Sequence, residues 1–93
     1  MEQRNEVLLE RSEYDISNTR DLERELSVLV PGPATIDIVK VQYMDTTALR
    51  SLVRISREIS SKGSEATITL KNASPSMRRI FEVVGLSRMF EIK

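Results

Sequence analysis

The sequence predicts an α/β fold, a small sandwich in which helices pack on a four-stranded, mostly parallel sheet in the order β-α-β-α-β-α-β. Two observations carry this. Short runs rich in β-branched residues alternate with longer runs whose apolar residues recur every three to four positions, and Pro or Gly punctuates the joins. The chain has 93 residues, which suits one domain over residues 1–93 and leaves no room for a second. Strands that alternate with helices are joined by right-handed crossovers and therefore lie parallel.

Val7, Leu8 and Leu9 sit between charged residues and mark a strand over Asn5 to Arg11, which Glu13-Tyr14-Asp15 extends or pairs with. Ser17 and Asn18 are good N-cap residues, with Asp21 and Glu23 following them. Leu22, Leu26, Leu29 and Val30 then recur at helical spacing, predicting a helix from Thr19 to Val30. Pro31-Gly32-Pro33 stops it, since proline cannot continue a helix. Ala34 to Val41 is rich in β-branched residues, and Ile36 and Ile38 alternate with Thr35 and Asp37. Its apolar content predicts a central strand.

Beyond the segment Tyr43 to Thr47, Leu49, Leu52, Val53, Ser56 and Ile59 form one helical stripe flanked by Ala48 and Ile55. The helix is predicted over residues 46–62, with Gly63 as its stop after Lys62. Ala66 to Leu70 alternates as a strand should. Ser74-Pro75 starts a third helix, a cap residue followed by proline in the first helical position. Met77, Ile80, Phe81 and Val84 form its apolar face, with Met77 and Phe81 in the core, and Gly85 ends it. Met89 to Ile92 adds a last short strand.

Composition excludes much chemistry. Lys plus Arg and Asp plus Glu each number 14, for a formal net charge of zero. That balance points away from nucleic acid and from an anionic membrane surface as partners. Without cysteine or histidine there is no disulfide, no thiolate metal site, no cysteine nucleophile and no Ser-His-Asp arrangement. Three glycines cannot build a Gly-rich phosphate loop. Asp15, Asp37 and Asp45 lack metal-site spacing. The expectation is a non-enzymatic domain without a cofactor. Residues 1–6 are polar and lack a signal-peptide pattern, so a cytoplasmic location is the default expectation.

The sharpest local feature is Asp45-Thr46-Thr47, between a buried strand and a helix. One role is structural, because Asp and Thr are favoured helix caps. The other uses the same physics. A helix N-terminus has unpaired N–H groups and a partial positive charge that suits an anion. A phosphate on Thr46 would carry about −1.5 to −2 charges. The helix end favours it by roughly 0.3–1 kcal/mol, while Asp45 opposes it. Its consequence is therefore expected at a binding surface rather than inside the domain.

Three segments together resemble the STAS domain, the fold of bacterial anti-sigma-factor antagonists. Ser12-Glu13-Tyr14-Asp15 is similar to the family's Gly-Glu-Leu-Asp segment. Val41 to Leu49 is similar to its aromatic-hydrophobic-Asp-Ser-Ser-Gly-Leu signature, with Thr46, Thr47 and Ala48 in place of Ser, Ser and Gly. Ser74 to Leu86 is similar to its Ser-Pro, basic, aliphatic-Phe, Gly-Leu helix. The resemblance runs from Asn5 to Ile92.

The resemblance implies a protein that binds an anti-sigma factor, itself a serine/threonine kinase, and so releases a sigma factor. Phosphorylation of Thr46, with Thr47 as the second candidate, would switch the binding off, and a phosphatase would reset it. Asp15 and Asp45 match the acidic positions of the partner surface, Leu49 matches an apolar contact there, and Thr46, Thr47 and Arg50 complete it. An alternative keeps the fold and removes the switch: a docking subunit, for example of a lipid-transporting ABC system. A third reading, a nucleotide or lipid binder at the helix end, is disfavoured by the scarcity of glycine. Many family members carry one more helix beyond the position of Lys93, so an uncovered sheet face or edge could serve a partner or a homodimer.

Arg50, Arg54 and Arg57 share a helix face, read as solvated with Glu58 as the i,i+4 partner of Arg54 or as a contact for a phosphate or an acidic partner. Tyr43 is expected to pack beneath the joint, with a partner contact as the alternative.

Overall fold

A computed structural model describes residues 5–61 and 67–93. Four strands, β1 (Glu6–Leu8), β3 (Ala34–Asp37), β5 (Ile68–Lys71) and β6 (Glu91–Ile92), form one sheet in the order β1-β3-β5-β6. Every pairing in it is parallel. Helices α1 (Thr19–Leu26), α2 (Thr46–Ser61) and α3 (Pro75–Val83) intervene, so the α/β alternation read from the sequence holds. The expected stop at Lys62 and Gly63 and the start of the third predicted strand at Ala66 lie outside the described residues.

The sheet register explains which side chains reach the core. Ile36 lies between Val7 and Leu70, and Leu70 lies beside Ile92. Ala34 pairs with Ile68. Period-two alternation sends this set to one face, where Ala34, Ile36, Ile68 and Leu70 are buried. Glu6, Thr35, Thr69 and Glu91 form the adjacent row on the opposite, polar face. The predicted central strand is indeed flanked on both sides, by β1 and β5.

The stripe on α2 packs as its spacing requires. Leu52, Ser56 and Ile59 are buried with Ala48 and Leu49, while Val53 and Ile55 are half-buried. Met77 and Phe81 on α3 are fully buried. Ser74 caps α3 by accepting from the Met77 amide at 3.2 Å, with Pro75 following. Gly85 takes φ +77°, a left-handed conformation that glycine adopts without a Cβ penalty. A short 3-10 turn over Leu86–Arg88 leads into β6.

Several boundaries differ from the sequence reading. The first helix ends at Leu26 rather than Val30. Ser27 Oγ donates to the Arg24 carbonyl at 2.6 Å, and the Val30 amide is taken by Asn5 Oδ1 at 2.8 Å. Asn5 Nδ2 also donates to the Val30 and Pro33 carbonyls at 2.8 and 2.9 Å, so a side chain outside the helix claims its final turn. The central strand stops at Asp37, whose carboxylate accepts from the Val39 amide at 3.0 Å and turns the chain. Ile38 and Val41 remain buried beyond it. Val84 follows α3 rather than belonging to its apolar face, and it is 50% exposed.

The segment Glu13–Tyr14 neither extends nor pairs with the first strand. As β2 it pairs in parallel with β4 (Tyr43–Met44), forming a separate two-stranded ribbon. This ribbon brings the start of α2 beside the chain that leads into α1.

Candidate functional site: the joint at the start of α2

The joint begins with ribbon parity. Tyr14 pairs with Met44, and both are buried, so the neighbouring Tyr43 turns outward and is 46% exposed. The expectation that Tyr43 packs beneath the joint is therefore corrected: Tyr14 and Met44 lie in the core instead. The Tyr14 hydroxyl donates to Glu25 Oε2 at 2.7 Å and accepts from the Arg11 amide at 3.1 Å. Glu25 Oε1 accepts from the Glu10 amide at 3.0 Å, which ties α1 to the strand before it. Burial first, and then the bond to Glu25, push the Tyr14 phenol well above its usual range.

Asp45 continues from β4 and is held on both sides. Its amide donates to the Tyr14 carbonyl at 3.1 Å. Oδ1 accepts from the Ala48 amide at 2.8 Å, the side-chain cap of α2. Oδ2 accepts from the Ile16 amide at 3.1 Å. One carboxylate thus caps a helix and anchors the loop before another helix.

That loop has its own clamp. Asn18 Oδ1 accepts from the Asp15 amide at 2.8 Å, and Asn18 Nδ2 donates to the Glu13 carbonyl at 3.0 Å. Asn18 stands at the N-cap of α1, yet its side chain makes no cap bond. Asp15 accepts from the Ser17 amide at 2.9 Å and from the Ser17 hydroxyl. The hydroxyl bond, followed by the amide bond, lowers the Asp15 pKa below its ordinary value.

The two threonines occupy different surroundings. Thr46, the first residue of α2, is exposed, and among the described residues its hydroxyl has no hydrogen-bond partner. Thr47 is half-buried. Leu49 is only 8% exposed, while Arg50 is exposed. Thr46, Leu49 and Arg50 line one end of a groove of about 570 Å³, continued by Val53, Arg54, Arg57 and Glu58 on α2 and by Val84 and Leu86 across it. Thr47, Asp15 and Asp45 do not line it. The sequence-selected residues therefore fall into a groove side of Thr46, Leu49 and Arg50 and an Asp15–Asp45 side, joined through the start of α2, with Thr47 on the first turn outside the groove.

Apolar surface that the sequence reading passed over surrounds this joint. Ile16 is 74% exposed and Val83 78% exposed. Tyr43, Val83 and Val84 line a second depression together with Ile80. Two successive valines at the end of a helical stripe are a usable signal, since both cannot face the core. Nothing in the pattern marks Ile16, whose orientation follows from Asp45 holding its amide.

Among the described residues no group of three or more acidic side chains is placed to hold a metal ion, and no helix is long and apolar enough to cross a membrane.

Comparison with known proteins agrees with this fold. Anti-sigma-B factor antagonists of Listeria monocytogenes and Listeria innocua are each 38% identical over 58 residues, which is 62% of this chain and 49% of each relative. The matched segment thus spans about half the length of the curated relatives. A crystal structure described as a candidate anti-sigma factor antagonist of Thermotoga maritima superimposes with a TM-score of 0.75 at 19% identity, covering 95% of this chain and 78% of the other. At that identity the likeness concerns the fold. A family model described as "Mlab, STAS domain" matches residues 2–91, and with the parallel sheet, the capped joint and the α3 segment in place, the chain belongs to the STAS domain family.

Proposed function

We propose that the chain is an anti-sigma factor antagonist: a docking domain that binds an anti-sigma factor with serine/threonine kinase activity, releases a sigma factor, and is switched off by phosphorylation of Thr46. The observation that carries this is the placement of Thr46. Thr46 is exposed, its hydroxyl is unengaged by any described residue, and it stands at the end of an apolar groove on the first turn of a long helix. The names of the Listeria relatives support the same reading. The domain performs no chemistry; the kinase and a phosphatase do.

The joint itself is built to tolerate the modification. A phosphate adds about −1.5 to −2 charges at a helix end that favours anions by roughly 0.3–1 kcal/mol. Asp45 opposes it, but both of its oxygens already accept backbone amides. The internal balance is near zero, so the dianion acts by occupying surface that the partner covers. Asp15, Thr47, Leu49 and Arg50 border that surface, and Asp45 holds it in shape.

The test is to incubate the protein with its cognate kinase and ATP and locate phosphate by mass spectrometry. Thr46→Ala abolishes labelling and Thr47→Ala does not. Equal labelling of Thr46→Ala and wild type overturns the switch. Thr46→Glu weakens partner binding at least about tenfold, equivalent to about 1.4 kcal/mol.

A second reading is a non-switching docking subunit, for example of a lipid-transporting ABC system. It rests on the breadth of the Mlab-type match, residues 2–91, against 58 aligned residues for the Listeria antagonists. Genes for a transporter beside this one, with no kinase-like anti-sigma gene, would select it.

A further inference from the structure

The groove beside Thr46 has a chemistry of its own. Leu49 and Val53 of α2 face Val84 and Leu86 across it, and Val84 is left half-exposed without a covering element. Arg50, Arg54 and Arg57 also line it, at spacings of four and three that place them on one helix face. Glu58 is the acidic residue among its lining. Three positive charges against one negative give a lining charge of +2. Arg54 is paired with Glu23 and Glu58. Arg50 and Arg57 are exposed and have no ion-pair partner among the described residues.

We propose that this groove binds an amphipathic helix of a partner protein, with its apolar face on Leu49, Val53 and Val84 and an acidic flank against Arg50 and Arg57. Thr46 and Arg57 are eleven residues apart, so the groove runs about 16 Å, the length of about three helical turns. An apolar groove of that length suits helix-in-groove recognition. The arginine rim selects the charge of the flank. Among the described residues, a second copy of this chain offers no helix with a free apolar face. Leu22 and Leu26 of α1, Leu52 and Ile59 of α2, and Met77 and Phe81 of α3 are all buried in the core. The proposal rests on the reading of this face of α2 as a docking surface and names what it takes.

The experiment displays a library of helical peptides of mixed charge, selects on the full 93-residue chain, and measures the winners by fluorescence anisotropy. Enriched sequences are expected to carry apolar residues at i, i+3, i+4 and i+7 with Asp or Glu beside them. Arg50→Glu/Arg57→Glu should weaken them at least about tenfold, and added salt should weaken binding to the wild type. Val84→Ser, an exposed position whose change leaves the core intact, should weaken them about threefold. Circular dichroism establishes that each variant is folded. Enrichment of basic or uncharged helices, of no helix at all, or of binders indifferent to the double charge reversal overturns the proposal. So does a concentration-dependent dimer that disappears in the same variant. Labelling of Thr46 is not read in this assay, so an absent switch and an absent acidic-helix site give separate results.

Discussion

Asp45 offers the most informative perturbation, because its carboxylate serves two elements at once. Replacing it with alanine removes the cap on the Ala48 amide and the anchor on the Ile16 amide together. Loss of an N-cap costs about 1 kcal/mol. A hydrogen bond to a charged acceptor contributes about 1.5 kcal/mol at the low end of its range, the appropriate end for a half-buried group. Asp45→Ala should therefore lose about 2.5 kcal/mol, which for a domain of this size lowers Tm by about 10–20 °C. Asp45→Ser can still cap the helix but cannot reach both amides, so it should lose about 1.5 kcal/mol, the anchor alone. Urea unfolding followed by far-ultraviolet circular dichroism measures both, and an unchanged m value shows that the unfolding reaction is the same. An Asp45→Ala variant within about 0.5 kcal/mol of wild type, the range of ordinary surface substitutions, would refute the structural account. The result also decides how binding data are read. If the prediction holds, weaker partner binding by Asp45 variants reports a disordered joint rather than a lost contact.

Three further outcomes follow from the packing. The buried Ser56 hydroxyl has no partner among the described residues, so Ser56→Ala should raise stability by about 1 kcal/mol, read as a higher urea midpoint; a lower midpoint would mean the hydroxyl is bonded. Tyr14 has its folded-state pKa raised, so the stability it contributes is complete below the unfolded value near 10 and is lost as pH rises from there through the folded value; alkaline unfolding should therefore begin earlier in wild type than in Tyr14→Phe, once each is compared with its own stability at neutral pH. Phe81 is fully buried on α3, and Phe81→Ala should cost about 3–5 kcal/mol, enough to leave a measurable unfolded fraction at room temperature by circular dichroism.

Local sequence determined a good deal. The alternation of β-branched and helical-period runs was sufficient for the α/β class, because periods of two and of 3.6 each leave one face that must be buried. The stripe on α2, the Ser74-Pro75 start of α3 and the left-handed stop at Gly85 were legible for the same reason: each is set by residues within a few positions of one another. Asp45-Thr46-Thr47 was legible as a helix start.

Tertiary contacts decided the rest. The first helix ends at Leu26 because Asn5, far away in sequence, takes the Val30 backbone. Glu13–Tyr14 and Tyr43–Met44 form their own ribbon rather than extending the sheet, and that pairing alone turns Tyr43 outward and buries Tyr14. The double use of Asp45, the exposure of Ile16 and the groove between α2 and Val84 also depend on which segments meet. Hydrophobic periodicity reports which face of an element is buried, but carries no information about which distant backbone amide a side chain will reach. The joint's cap was therefore readable from its own residues, whereas the surface built around Thr46 was settled by the ribbon that brings the start of α2 against the loop before α1.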